Sequence, residues 1–323
     1  MSPRGWVQVN PAREPAFLSF VTPVYNAAGT VAETVESILG QDLAIPFELV
    51  LVDDASEDGT DEVLRELERS HGEVVSVTKN EQNMGCGATR NQAMTRARGD
   101  VIYMVDADNV LPPATVQPQL DLMLASGHHC VSVERLNLFR DLPTQSDGTW
   151  LTAHDHGISG LTELMAYAEV SAEARSISPA SHGNYLFTRE LYEKTGGYPH
   201  ERTGAESWIF GMKHIVRGFD FAVACGTSYH HRLVPDGLWV SEELRGTNDE
   251  QAVVALKEMV DFFPPELRGK VARLRVGDPV FRYIADGAFR SDNDLPGRVR
   301  RSGARMHRRL SFAVDGLLRR ASA

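Results

Sequence analysis

The feature that most restricts this chain is an alternation running through its first third. Apolar runs of strand length at residues 17–26, 47–52, 74–77 and 101–104 are separated by segments with helical spacing. Val31, Val35, Ile38 and Leu39 mark the first such segment, and Val63, Leu64 and Leu67 mark the second. A third is predicted over residues 88–98. Strands alternating with helices over short connections predict an α/β fold, a doubly wound and mostly parallel sheet flanked by helices. A chain of 323 residues can bury one large core or two joined ones. In such sheets ligands bind at the carboxyl ends of the strands, and two acidic clusters fall there.

The first cluster is Val105-Asp106-Ala107-Asp108-Asn109, directly after the run at 101–104. Alternate residues on a strand point to one side, so Asp106 and Asp108 can converge on one target. Two close carboxylates repel unless a cation sits between them or one takes a proton. Their hard oxygens suit a divalent metal that itself holds phosphates, although Asp-x-Asp also occurs as a plain solvated turn. The second cluster, Asp53-Asp54, closes the run at 47–52. Ser56, Asp58 and Thr60 behind it read as a turn and cap starting the next helix. Asn83-Met84-Gly85-Cys86-Gly87 precedes a predicted helix, where backbone amides can hold a phosphate or ribose oxygen. The third glycine of a dinucleotide fingerprint is missing at its spacing.

Taken in order, several motifs resemble a family 2 glycosyltransferase. They are Thr22-Pro23-Val24-Tyr25-Asn26, the stretch Val52 to Thr60 with Asp53-Asp54, Asn83 to Asn91, and Asp106-Ala107-Asp108. Gly183 to Glu190, Gly196-Gly197-Tyr198 and Gly204-Ala205-Glu206-Ser207-Trp208 extend the match downstream. The resemblance implies a GT-A fold over residues 17–235. Residues 17–110 would form the nucleotide-sugar half and 111–235 the acceptor half. An N-terminal arm (1–16) and a helical C-terminal extension with a basic tail (236–323) flank them.

The resemblance also implies roles. The donor would be a nucleotide-diphosphate sugar, UDP-linked by preference, with Mn2+ or Mg2+ as cofactor and a hydroxyl acceptor of unknown kind. Asp108 is the first choice for metal coordination, with Asp106 reaching the ribose or a metal-bound water. A third ligand is expected after the strand at 221–225, where His230 is favoured over His231. Asp54 would accept the uracil imino hydrogen, with Tyr25, Pro23 and Thr22 flanking the base. Asp53 would share that role or cap the loop. Asn83 and Gly85 belong to the glycine-rich loop, and Arg90 would meet the diphosphate or Asp106. Arg232 or Lys213 are further candidates for the diphosphate, and Asn91 would help hold the nucleotide side of the cleft or be only a helix-surface residue.

Glu206 is the candidate base of an inverting transfer, which needs a carboxylate opposite the leaving group. A glutamate in a first helical turn is also what a helix N-terminus favours electrostatically. The family usually carries Glu-Asp here, whereas this chain has Glu206-Ser207. Two functions follow: an active metal-dependent transferase, or an impaired member retained as a nucleotide-sugar-binding or assembly subunit. A nucleotidyltransferase would leave the base-pocket and acceptor motifs unexplained.

Charge is distributed unevenly. From Arg298 onward eight arginines stand against Asp315 alone, so that tail is +7 and leaves −18 of the net −11 on the rest. With Met306, Leu310, Val314, Leu317 and Leu318 on one stripe, the tail can lie on an anionic membrane, dock on the acidic body or stay disordered. The acidic body argues against nucleic acid as a partner. Cys86, Cys130 and Cys225 are scattered, so neither a disulfide framework nor a zinc site is indicated. No apolar run reaches membrane-spanning length and the first residues lack a signal peptide's apolar core, so a cytoplasmic location is expected. Residues 137–181 align with nothing recognisable. Their Trp150 and His156 are candidates for a loop beside the acceptor cleft, and a helix is predicted over 161–170. Another is predicted over 242–263.

Overall fold

A computed structural model of the chain describes residues 17–139, 149–152, most of 185–232 and parts of 253–275. Four strands, β1 (Leu18–Val24), β2 (Phe47–Asp53), β3 (Val75–Lys79) and β4 (Val101–Met104), pair in parallel in the order β3-β2-β1-β4. The helices α1 (Val31–Leu39), α2 (Thr60–His71) and α3 (Cys86–Arg96) make the crossovers. The second half is antiparallel where it joins the first. After α4 (Gln117–Ser126) come β5 (Cys130–Phe139), β6 (Thr149–Thr152), β7 (Leu186–Thr188), α5 (Arg189–Thr195), α6 (Glu206–Val216) and β8 (Ala222–Arg232). Strand β7 lies antiparallel between β4 and β5, β6 pairs antiparallel with β5, and β8 pairs parallel with β5.

Side-chain alternation explains why the central strands carry apolar residues on both faces. Leu18, Phe20, Leu49, Leu51, Val101 and Tyr103 enter the core beneath α1, α2 and α4. Their neighbours Val21, Val50, Val52, Ile102 and Met104 enter a second core with Ala93, Met94 and Phe210. A sheet covered on both faces needs apolar residues at both parities. At the amino ends of the strands, a buried lock closes the edge opposite the acidic clusters. Ser19 Oγ donates to Glu48 Oε1 at 2.7 Å, and Glu48 Oε2 accepts from Arg98 Nε at 2.8 Å.

Several boundaries differ from the sequence reading. Helix α3 starts at Cys86 because Gly85 turns the chain at φ +90°, and it ends when Ala97 becomes extended. The strand expected to end at Cys225 continues to Arg232 through a bulge. Gly226 (φ +78°) makes the bend, and its amide donates to Glu134 Oε2 at 2.7 Å. Within the segment expected to be helical as far as Phe263, the described residues Val260–Phe262 form a 3-10 turn. The arm 1–16, the helix expected over 161–170, the side chains of Trp150 and His154 to His156, and the basic tail lie outside the described residues. Among the described residues no helix is long and apolar enough to cross a membrane.

His214 on α6 packs edge-on against Phe210 and Tyr185 and is only 1% exposed. Burial pushes its imidazole down to about 3, with Lys213 adding to the effect. The folded value lies below the ordinary one near 6.5, so the unfolded chain binds the extra proton. The stability tied to neutral His214 is therefore present above about pH 6.5. It declines by about 1.4 kcal/mol per pH unit as acid approaches the folded value. Urea unfolding at about pH 7.5 and about pH 5 should show this loss, and His214→Leu should reduce it. Equal pH dependence in both proteins would contradict the assignment.

Candidate active site

The two acidic clusters meet at the carboxyl edge of the sheet because β1 neighbours both β2 and β4. The Asp54 amide donates to the Val24 carbonyl at 2.7 Å, which sets Asp54 beside the loop carrying Tyr25. Asp54 is 3% exposed and fixes the glycine-rich loop. Its Oδ1 accepts from Asn80 Nδ2 at 2.9 Å and the Met84 amide at 2.8 Å, and its Oδ2 accepts from the Gly85 amide at 2.8 Å. A carboxylate offers about four lone-pair positions, so among the described residues one remains, on Oδ2. The Met84 and Gly85 amides, expected to face a phosphate, are thus turned inward to Asp54. Tyr25 and Met84 are the most exposed large apolar side chains among the described residues, at 50% and 43%.

Asp53 is the loop-capping residue of the two alternatives. Its Oδ1 accepts from the Ser56 amide at 2.9 Å and Ser56 Oγ at 2.5 Å, while Lys79 Nζ stands 3.3 Å from Oδ2. Asp58 accepts from the Thr60 amide at 3.1 Å, as the turn reading expected. Thr22 and Pro23 are buried, and Thr22 Oγ1 has no hydrogen-bond partner among the described residues.

Arg90, buried on α3, donates from Nη2 to Asp106 Oδ1 at 2.6 Å, and its guanidinium lies 5.2 Å from the Tyr198 ring centroid. Of its two expected partners the structure provides Asp106. The next carboxylate, Asp108, is pushed up to about 7, chiefly by burial and then by the Asp106 charge. Its backbone is held from two sides. Thr30 Oγ1 donates to the Ala107 carbonyl at 3.0 Å, and Arg232 Nε donates to the Asp108 carbonyl at 3.0 Å. Arg232 also pairs with Glu33 on α1, and its amide donates to Asn109 Oδ1 at 2.8 Å.

Val110 and His230 exchange backbone hydrogen bonds at 2.9 and 3.0 Å, which brings the end of β8 against this turn. Burial lowers the imidazoles of both His230 and His231. On His231 the Asp106 charge acts in opposition, and Tyr229, of the same strand parity, also feels Asp106. Mutually repelling carboxylates beside an imidazole are chemically suited to a divalent cation. Among the described residues, however, no three His, Cys, Asp or Glu side chains are gathered as a complete metal cage.

The acceptor half reaches the cleft through the Gly196-Gly197-Tyr198 turn. Asn91, read from sequence as a cleft or helix-surface residue, clasps this turn. Its Nδ2 donates to the Tyr198 carbonyl at 3.0 Å, and its Oδ1 accepts from the Tyr198 amide and Tyr192 hydroxyl, both at 2.9 Å. Gly197 (φ +70°) has no room for a side chain, since a Cβ would fall 2.8 Å from Asn91 Oδ1. Glu206 opens α6 and is 4% exposed. A Cβ on Gly87 would meet Glu206 Cγ at 3.1 Å and the Pro199 carbonyl at 2.5 Å, so Gly87 lets the two halves close on each other. Lys213 is committed elsewhere, to the Gly197 carbonyl at 3.0 Å and to Glu258 at 2.7 Å.

A 3-2-1-4 parallel sheet, antiparallel continuation and acidic carboxyl edge define a GT-A-type fold. The family model for Glycosyl transferase family 2 matches residues 19–196, more than half of the chain, and the protein belongs to that family of glycosyltransferases. Among curated relatives it is 27% identical over 213 residues to the putative glycosyltransferase EpsE of Bacillus subtilis (strain 168), covering 64% of this chain and 70% of that one. It is 31% identical over 234 residues to the undecaprenyl-phosphate 4-deoxy-4-formamido-L-arabinose transferase of Pseudomonas fluorescens (strain SBW25), covering 67% of each. Among solved structures it resembles the mannosyltransferase PcManGT from Pyrobaculum calidifontis, in complex with GDP-Man and Mn2+. The TM-score is 0.52 and identity 19%, with 99% of this chain and 83% of that one covered. S. aureus TarS gives a TM-score of 0.51 at 18% identity, with 88% of this chain and 55% of that one covered.

Proposed function

We infer that the protein transfers a sugar from a UDP-sugar to a hydroxyl acceptor with inversion, using a divalent metal. The observation carrying the donor reading is the remaining lone pair on Asp54 Oδ2 beside exposed Tyr25 and Met84. A uracil edge presents one imino donor, which one lone pair can accept. Guanine presents an imino and an amino donor together and favours a carboxylate with two open positions. The tyrosine ring supplies a flat wall for the base. Asp108 and Asp106 are the carboxylates that would hold Mn2+ or Mg2+, and His230 or His231 at the end of β8 would supply an imidazole, the Asp106 charge acting on His231. PcManGT, solved with Mn2+, supports a metal of this kind. When bound, such a cation supplies charge neutralisation for a departing diphosphate. Arg90 fixes the Asp106 carboxylate, and Glu206 accepts the proton of the attacking hydroxyl.

Base identity is tested by calorimetry with UDP and GDP in manganese. Wild type should favour UDP, and Asp54→Asn should weaken UDP binding and shift the preference, because it turns an acceptor into a mixed group. Equal affinity for UDP and GDP in the wild type would remove the uridine assignment.

A further inference from the structure

The nucleotide cleft is acidic, yet its proposed ligand is a polyanion. Asp53, Asp54, Asp106, Asp108 and Glu206 all lie along it, and the surrounding cations are mostly spent on carboxylates. Lys79 faces Asp53 at 3.3 Å and Asp61 at 3.9 Å, Arg90 grips Asp106 at 2.6 Å, and Arg232 pairs with Glu33. Arg202 differs. Its guanidinium donates only to neutral groups among the described residues, the Asn83 carbonyl and, at 2.6 Å, Asn83 Oδ1. The side chain is exposed, and its stem crosses Gly85, where a Cβ would fall 2.8 Å from Arg202 Cγ. It therefore sits on the loop that Asp54 secures from below, with its charge uncommitted.

Arg202 also belongs to the acceptor side. It lies between Pro199, whose carbonyl packs on Gly87, and Glu206, whose Cγ packs on the same glycine. One short segment thus carries both a free positive charge over the donor loop and the proposed base.

We propose that Arg202 is a donor-phosphate contact: on entry of the nucleotide diphosphate its guanidinium exchanges neutral Asn83 for a phosphate oxygen. The exchange is favoured because a charge-assisted bond replaces a neutral one. It also ties the segment leading to Glu206 to the occupied donor. The proposal rests on the nucleotide-donor reading above.

The test is competition of UDP and of uridine against a labelled UDP analogue on the full chain with Mn2+, for wild type, Arg202→Gln and Arg202→Lys. UDP affinity should fall on the order of tenfold in Arg202→Gln, with a shallower salt dependence, while uridine affinity stays unchanged. Arg202→Lys should recover part of the loss, keeping charge without the planar fork. If Arg202→Gln does not fold, the lysine variant carries the comparison through its smaller, UDP-selective loss. Unchanged UDP affinity, or uridine weakened as much as UDP, overturns the phosphate contact while leaving the donor reading intact. Failure of wild type to bind UDP or its analogue at all defeats the donor reading and this proposal with it.

Discussion

Glu206→Gln is expected to cut sugar transfer on the order of a hundredfold or more while leaving UDP binding nearly intact. Glutamine keeps the shape and most hydrogen bonding of the side chain but cannot take a proton, and general base catalysis typically contributes on this scale. Position motivates the expectation. Glu206 is buried at the first turn of α6, against Gly87 of the donor half, and belongs to the segment clasped through the Tyr198 turn. A helix-terminus role alone would cost at most about 1 kcal/mol of stability and leave the rate largely alone. Near-wild-type turnover in the glutamine variant, or a product with retained anomeric configuration, would place the chemistry elsewhere. Ser207 cannot substitute as a base at neutral pH, so the missing second acid concentrates the demand on Glu206.

Asp108→Ala should remove the manganese dependence of UDP binding, lowering affinity in manganese by roughly a hundredfold or more. Asp108 is the carboxylate pushed up by burial and then by the Asp106 charge, an electrostatic conflict that a cation relieves. Asp106→Ala should do less to metal-dependent binding, because Asp106 already shares its charge with Arg90. His231→Ala should weaken manganese-supported binding more than His230→Ala. Calorimetry showing an unchanged UDP–manganese affinity in Asp108→Ala would sink the metal assignment.

The parallel half of this fold could be read from sequence because its strands are buried on both faces and announce themselves as continuous apolar runs. The antiparallel half could not. Strand β7 is only three residues long, too short for periodicity, and its place between β4 and β5 is set by partners far away in sequence. The acidic residues of the site were visible as chemistry, but not their division of labour. Asp54 and Asp53 look alike in sequence; one secures the glycine-rich loop and the other its own turn through Ser56. Asn80 and Asn109 were missed as site-building residues, and the partner of Asn91 on the acceptor side was missed, for one reason. Each amide bonds a group that only the folded chain brings near, as Asn91 does with Tyr198 and Asn109 with Arg232. Nothing in local composition marks such a clamp. Thr22 shows the converse: its motif was legible, but its burial on the covered face of β1 was not.

Metal-dependent transfer from a uridine donor is the proposal on which the other expectations depend. The most direct measurement is release of nucleoside diphosphate from a panel of UDP-, GDP- and dTDP-sugars, with manganese and with manganese removed by chelation, in wild type and Asp108→Ala. Release from a UDP-sugar that requires manganese and is lost in the variant is expected. Release that persists equally without metal, or that favours a GDP-sugar, would contradict it.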